Sequence, residues 1–256
     1  MRSLATATTY SDNAVFAAVG IKVGTKRVAK LAKKMGIRTP VSHNLAMTLG
    51  GLRQGVTALD MAHAYQTFAR GGKLITGTLG ASDHGPVGIS EVRRGDKTVD
   101  ENKIEAKRIL PDNVSDEVTA ILHTVVTSGT GTHAQLSNTD DIVAGKTGTT
   151  ENYGDAWFVG YTPRYTTAVW VGYPDRLKPM ETEYNGGEVS GGTYPADIWH
   201  DIMTQIYAID AERENARRLR EVEKLQAEGK EIPPELQETV PTTTDPSSVP
   251  VTPSTT

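Results

Sequence analysis

The chain has 256 residues, a formal net charge of −4 and no cysteine. An acidic balance argues against a nucleic-acid binder, because such proteins neutralise phosphates with an excess of lysine and arginine. The absence of cysteine excludes thiol nucleophiles, disulfides and cysteine-ligated metal sites. The six histidines lack the paired spacing of metal ligands, so the sequence predicts no metal and no cofactor.

Four segments have the apolar spacing of amphipathic helices. The first two are predicted from a Thr25 cap to Met35 and from a Thr57 cap to Arg70, where Asp60 completes a capping-box pattern. The third follows Ser115 and ends at Gly129. The fourth covers 195–209 and is predicted to bury Ile198, Trp199, Ile202, Met203 and Ile206.

Two regions indicate strands. Residues 87–99 predict a hairpin that turns at Gly95-Asp96. The runs 142–147, 156–161 and 166–173 are short, β-branched or aromatic, and separated by turn residues, which is typical of an antiparallel meander. Strands with helices before and after them predict an α+β fold, in which an antiparallel sheet is flanked by helices.

The C-terminal residues differ in composition. Residues 210–231 contain seven acidic and six basic side chains, and pairs such as Glu214 with Arg218 favour a solvated helical extension. Of the 24 residues from 233 to 256, 16 are Pro, Thr or Ser, which predicts disorder. The predicted organisation is a domain over 1–209, a charged extension over 210–232 and a disordered tail over 233–256.

A polar motif lies on the first meander strand, Lys146-Thr147-Gly148-Thr149-Thr150. A fixed cation, two hydroxyl donors and a glycine that admits a ligand backbone would suit a peptide that ends in a carboxylate. The alternative is an exposed strand lysine beside a turn. A phosphate loop is excluded, because Asp140 occupies the position where that loop needs a glycine.

The second motif is Ser11-Asp12-Asn13, which precedes an apolar run. As structure, it is a helix cap. As a site, it would project a hydroxyl and a carboxamide into a cleft, where the hydroxyl can pass a proton and the carboxamide can hold a lysine or a substrate amide.

The two motifs in this order resemble the S-D-N and K-T-G signatures of the penicillin-recognising serine enzymes. The resemblance covers roughly residues 9–208 and is closest to class A, bifunctional penicillin-binding proteins. It includes the block from Leu49 to Gly72, Gly129-Thr130-Gly131, and the long run from Gly145 to Pro163. It implies a fold like that of serine β-lactamases and D,D-transpeptidases.

The resemblance also implies a role for each matching residue. Ser11 would relay a proton with Lys146, and Asn13 would orient the catalytic lysine and the substrate amide. Thr147 and Thr149 would hold the terminal carboxylate, and the Thr149 N–H would supply half of an oxyanion hole. Gly148 would keep the strand clear for the substrate backbone. The partners implied are a peptidoglycan stem peptide ending in D-Ala-D-Ala and β-lactams.

The remaining signature of the family, S-x-x-K, is absent, since no serine here is followed by lysine three positions later. The chain therefore has no nucleophile that we would nominate. We expect the fold to be incomplete at its N-terminus, with the acylating serine and a membrane anchor in an upstream segment. Localisation at the extracytoplasmic face of the bacterial membrane follows from the resemblance alone.

Three functions remain open on this evidence. The first is a cell-wall D,D-transpeptidase that lacks its nucleophile segment. The second is a D,D-carboxypeptidase or β-lactamase-like hydrolase, in which water replaces the acceptor amine. The third is a non-catalytic binding protein derived from a truncated copy, an alternative that the missing serine supports directly.

Overall fold

The computed structural model describes residues 3–80 and 85–237. In these ranges the helices are α1 Leu4–Thr9, α2 Asn13–Val23, α3 Thr25–Lys34, α4 Ala58–Ala69, α5 Asp112–Ser128, α6 Tyr194–Ala227 and α7 Pro234–Gln237. The strands are β1 Lys73–Gly77, β2 Glu91–Arg94, β3 Lys97–Glu101, β4 Ile104–Arg108, β5 Ala144–Thr149, β6 Asp155–Tyr161 and β7 Thr166–Gly172. The predicted α+β class is confirmed.

The meander forms one antiparallel sheet in the order β5-β6-β7, as the spacing of the runs predicted. Lys146 pairs with Val159 and Gly148 with Trp157. Thr150 N–H donates to Asp155 C=O. Hydrogen-bonded pairs alternate along an antiparallel ladder, so Gly148 and Lys146 also direct their backbone N–H and C=O groups toward β6. The backbone groups of Thr147 and Thr149 therefore point away from β6, toward the open edge of β5.

Both faces of this sheet are covered by aromatic packing. On one face, Tyr161 packs against Tyr65 and Phe68 of α4 at ring distances of 6.4 and 6.5 Å. On the other face, Phe158 contacts the fully buried Trp199 edge-to-face at 5.4 Å. Burial of such large rings contributes several kcal/mol to the stability of the fold. It holds β6 in place, and with it the paired strand β5, on which Lys146 lies.

The helix predictions are correct in place and wrong in three details. The cap of α3 is Gly24, and the Thr25 hydroxyl instead donates to His43 C=O at 2.7 Å. Thr57 caps α4 by accepting from Asp60 N–H, but the Asp60 carboxylate accepts from Arg38 and does not close a box. Ser115 lies inside α5, because that helix begins at Asp112.

The fourth predicted helix and the predicted helical extension form one continuous helix, since α6 runs from Tyr194 to Ala227 through most of the charged segment. In α6, Pro195, Ala196, Trp199, Met203 and Tyr207 are buried, whereas Ile206 is half-buried and Ile198 and Ile202 are exposed. The burial predicted for Trp199 and Met203 is confirmed, and that predicted for Ile198 and Ile202 is wrong. Glu214 pairs with Arg217, which is one residue before the predicted partner Arg218.

The second strand region contains more than the predicted hairpin. Strands β2 and β3 form that hairpin over 91–101, with every residue exposed. Strands β1 and β4 form a separate antiparallel pair that the sequence did not predict. In the first strand, Lys-Leu-Ile-Thr-Gly, two apolar residues are adjacent, and in the second, Ile-Glu-Ala-Lys-Arg, alternation covers only four residues, so the strand signal is weak.

Two compact units are distinguished by their internal contacts. One contains the described residues up to Gln135 together with Asp141–His200, and the other contains Leu136–Asp140 with the described residues from Asp201 onward. In the segment predicted to be disordered, α7 covers Pro234–Gln237, and residues 238–256 lie outside the described ranges. No helix in the described part of the chain is long and apolar enough to cross a membrane.

Candidate active site

A direct contact joins the two motifs. The Lys146 ammonium donates to the Ser11 hydroxyl oxygen at 2.9 Å, although the residues are 135 positions apart. Because Ser11 Oγ accepts this bond, its own hydrogen is free to donate to a third group. The pair therefore has the geometry of a short proton path from ammonium to hydroxyl to ligand.

The backbone at Ser11 explains why its side chain reaches β5. Helix α1 ends in a Schellman turn, with Asp12 N–H bonded to Ala7 C=O and Ser11 N–H to Thr8 C=O. Ser11 takes the left-handed position of that turn at φ 56°, which costs a non-glycine residue about 1–2 kcal/mol. Asp12 then caps α2 by accepting from Ala14 and Val15. The same tripeptide therefore supplies both the cap of α2, through Asp12, and the hydroxyl that contacts Lys146, through Ser11.

Asn13 is the first residue of α2 and its side chain is exposed. It makes no hydrogen bond to any residue in the described ranges. The structure thus brings Ser11 and Lys146 together, whereas in the described ranges no hydrogen bond joins the Asn13 side chain to either residue.

The Lys146 side chain is electrostatically unusual. It forms no ion pair within the described ranges and donates instead to Ser11, to Thr147 C=O at 3.1 Å and to the Thr147 hydroxyl at 3.4 Å. Desolvation by burial lowers the pKa of this ammonium from 10.5 to about 8. At pH 7 roughly a tenth of the side chain is then neutral, so it can both give and take a proton near physiological pH.

We expect the ammonium of Lys146 to titrate near pH 8 in the folded chain and near 10.5 in denaturant, as followed by NMR of its Nζ. Between these values the unfolded chain binds more protons than the folded one, so stability should rise with pH across that window. A Lys146→Met variant should lack this rise. A folded-state midpoint close to 10.5 would mean that Lys146 is solvated.

Thr147 and Thr149 lie two positions apart on β5 and project to the same face. The Thr147 hydroxyl lies 2.6 Å from the hydroxyl of Thr130, in the turn after α5. The Thr149 hydroxyl accepts from Gly191 N–H at 3.0 Å, which leaves its hydrogen free to donate. Two hydroxyl groups and an ammonium therefore line one stretch of strand edge.

Gly191 packs tightly behind this stretch. A Cβ at that position would lie 2.3 Å from Trp157 O and 2.7 Å from Gly148 N and O, so only glycine fits. At Gly148 itself the nearest atom to a Cβ would be Trp157 Cβ at 3.4 Å, so the opposite side of the strand is open. The glycines thus have different roles, close packing at Gly191 and clearance at Gly148.

Replacing Gly191 with alanine should push its loop off β5 and destabilise the chain by about 1–3 kcal/mol, because the obstructing atoms are backbone. Denaturant unfolding measures the loss, and the Gly148 and Thr149 amide resonances should shift. Gly88→Ala is the matched control, since a Cβ there meets nothing within 4 Å. Equal midpoints for the two variants would contradict the tight packing.

An apolar groove of about 330 Å³ opens beside the strand, on the face of Lys146 and Gly148. Its wall on one side is Lys146–Thr150, and on the other side it is lined mainly by Val28, Ala32, Met47, Val56, Met61 and Tyr65. Helix α2 and the segment after α3 are also poorly covered, since no residue of α2 is buried, Ile21 is 62% exposed and Leu45, after α3, is 65% exposed. A lysine beside so much apolar surface explains the desolvation of its ammonium.

The sequence motifs did not identify Thr130 or Gly191 as site residues. Thr130 stands in the Gly129-Thr130-Gly131 turn that formed part of the family resemblance, so a signal was present without a role. Gly191 belongs to a Gly-Gly pair that reads as an ordinary turn. Within the described ranges, no three His, Asp or Glu side chains cluster as metal ligands would.

Comparison with known proteins gives a consistent set of relatives. A family profile described as the penicillin binding protein transpeptidase domain matches residues 1–204. Penicillin-binding protein 1F of Bacillus subtilis is 35% identical over 79% of this chain and 27% of its own length. Penicillin-binding protein 1A of Aquifex aeolicus is 35% identical over 71% of this chain and 22% of its own length. The chain spans about a quarter of the length of these curated relatives.

Solved structures agree. PonA1 of Mycobacterium tuberculosis, determined in complex with penicillin V, is 28% identical with a TM-score of 0.63, over 79% of this chain and 55% of that one. Penicillin-binding protein 1A of Haemophilus influenzae superimposes with a TM-score of 0.64 at 20% identity, which shows a shared fold.

Proposed function

The chain belongs to the penicillin-binding protein transpeptidase family, of whose domain it covers a part, and we propose that it supplies the substrate-binding strand and the proton relay of a peptidoglycan D,D-transpeptidase. The resemblance drawn from the motifs is thus confirmed at the level of the family. The observation that carries the finer proposal is the 2.9 Å bond from Lys146 to Ser11 at the head of the hydroxyl-lined edge of β5.

The substrate in this proposal is a stem peptide ending in D-Ala-D-Ala. Its backbone pairs along the open edge of β5, where Thr147 C=O and Thr149 N–H point outward. Its terminal carboxylate accepts from the hydroxyls of Thr147 and Thr149, in the field of the Lys146 ammonium. Gly148 leaves room for the chain, and the Thr149 N–H donates to the developing oxyanion, the second donor being the N–H of the nucleophilic serine.

The reaction begins when a serine hydroxyl attacks the carbonyl of the penultimate D-Ala and passes its proton to the lysine of its own S-x-x-K segment. The bond to the terminal D-Ala breaks, and its nitrogen takes a proton from the Ser11 hydroxyl, which is replenished from the Lys146 ammonium. An amine of a neighbouring stem peptide then attacks the acyl-enzyme and forms the cross-link. The amine gives up a proton through Ser11 to Lys146, and the S-x-x-K lysine returns its proton to the departing serine oxygen. Asn13 is proposed to orient the catalytic lysine of the nucleophile segment and the substrate amide, which its exposed position at the start of α2 allows.

The nucleophile in this proposal comes from a segment outside these 256 residues. Support comes from the absence of S-x-x-K in the sequence and from the apolar groove beside Lys146. A helix with an apolar face would bury Met47, Met61 and their neighbours in that groove and would set its serine next to the relay. The parent enzyme would act at the extracytoplasmic face of the membrane.

The organisation proposed from composition, 1–209 as the domain, 210–232 as an extension and 233–256 as a tail, assigns no catalytic part to the last two segments. In a chain completed with its nucleophile segment, deleting residues 210–256 should therefore leave the rate of acylation by a labelled penicillin unchanged.

An acceptor assay tests the proposed reaction. A chain that joins these residues to a nucleophile segment is given a D-Ala-D-Ala peptide with and without a D-amino acid as acceptor amine. A transpeptidase forms the new peptide bond, whereas a D,D-carboxypeptidase or β-lactamase-like hydrolase releases only acid. A non-catalytic protein forms neither product, which would refute the proposal.

A further inference from the structure

We infer that Thr130 is a positioning residue for carboxylate recognition, because its hydroxyl lies 2.6 Å from that of Thr147 and leaves the pair with one hydrogen to donate to a ligand. This inference rests on the proposed function, since it assigns the ligand of the same strand edge. It adds to that edge a residue from the turn after α5, which the motifs did not single out for any role.

The hydrogen count limits what the two threonines can do. Two hydroxyls carry two hydrogens, and the bond between them uses one, whichever oxygen donates. Thr147 Oγ1 also accepts from the Lys146 ammonium at 3.4 Å. With a cation already bound to this oxygen, the hydrogen that the pair can still donate suits an anion. The hydrogen-bonded series of Lys146, Thr147 and Thr130 therefore presents one hydroxyl hydrogen, which the neighbouring hydrogen bonds polarise.

Without Thr130 the Thr147 hydroxyl could rotate. Its hydrogen could then turn to any nearby acceptor, and its oxygen would rely on the 3.4 Å contact to Lys146 alone. With Thr130 present, one arrangement of the pair is preorganised for an incoming oxygen anion, and less ordering is needed on binding.

The backbone holds Thr130 rigidly enough for this role. Its N–H donates to Thr9 C=O at 3.3 Å, two residues before Ser11, and the next N–H, from Gly131, donates to Val125 C=O at 2.9 Å. On the other side, Gly192 packs so closely that a Cβ would lie 2.3 Å from Thr130 O. The turn is thus tied to α1, α5 and the loop behind β5, which fixes the hydroxyl relative to both Ser11 and Thr147.

A purely structural bond between loop and strand is the competing explanation. It predicts that loss of the hydroxyl lowers stability and leaves ligand choice unchanged. The positioning role predicts a change in the preference for a carboxylate over a neutral amide, which stability alone does not alter.

The test uses the 256-residue chain and two probes, an N-acylated D-Ala-D-Ala dipeptide and the same dipeptide as its C-terminal amide. Amide shifts of Thr147 and Thr149 report binding of each probe by NMR. The variants are Thr130→Val, which keeps shape and removes the hydroxyl, Thr130→Ser, which restores it, and Thr132→Val, an exposed threonine in the same turn, as control.

We expect the wild-type chain to prefer the acid, and Thr130→Val to lose about fivefold in affinity for the acid with no change for the amide, because the Thr147 hydroxyl must then be ordered on binding. Thr130→Ser and Thr132→Val should match the wild type. If Thr130→Val keeps the full preference, or loses acid and amide equally, the inference falls and the proposed function stands. If the wild type itself shows no preference for the acid, both fall.

Discussion

Replacement of Lys146 by alanine is expected to reduce acylation by a penicillin by about 10²–10⁴-fold in a chain completed with its nucleophile segment. The loss has two physical parts. The variant lacks the cation whose field attracts the substrate carboxylate, and it lacks the proton source that contacts Ser11 at 2.9 Å. The rate of adduct formation with a fluorescent penicillin measures both together.

A Lys146→Arg variant separates the two parts. Arginine keeps a positive charge, but it stays protonated at all working pH values and cannot serve as a relay. We expect it to retain much of the ligand affinity and little of the acylation rate. The exposed Lys107→Ala is the control for loss of a charge elsewhere on the same unit. Full activity of Lys146→Ala would refute the assignment of the site.

The second large effect concerns the chain by itself. We expect the 256 residues alone to form no covalent adduct with a labelled penicillin, because S-x-x-K is absent. The completed chain should take up one label per molecule. The contrast is all-or-none, and intact-mass measurement reads it directly.

Two results would contradict this expectation in different ways. An adduct on the chain alone would mean that another residue, such as Ser11, acts as nucleophile. A completed chain that stays unlabelled would favour the non-catalytic alternative. A completed chain carrying a Ser-to-Ala change at its S-x-x-K serine is the control for non-specific labelling.

The sequence predicted the sheet well because its strands are short, β-branched or aromatic, and separated by turn residues. Between Ile142 and Tyr173, three strand-forming runs are separated by turn residues, and the structure has three paired strands there. The β1–β4 pair escaped prediction because two apolar residues are adjacent in β1 and the alternation in β4 covers only four residues. Helix starts were displaced by one residue at Thr25 and by four at Ser115, where tertiary contacts took over the predicted capping side chains.

The site was predictable only in part, for a physical reason. Ser11 and Lys146 stand in short motifs with recognisable chemistry, whereas Thr130 contributes a hydroxyl whose meaning depends on a neighbour 17 positions away. Gly191 matters for the space it leaves, which no motif records. The left-handed backbone of Ser11 is likewise a consequence of how α1 ends against α2, and the tripeptide alone does not reveal it.

The most direct measurement is a crystal structure of the completed domain acylated by penicillin V. We predict the penicillin carboxylate within hydrogen-bond distance of the Thr147 and Thr149 hydroxyls, with Ser11 between Lys146 and the nitrogen of the opened ring. A carboxylate bound away from β5, or a Ser11 hydroxyl turned out of the cleft, would contradict the account.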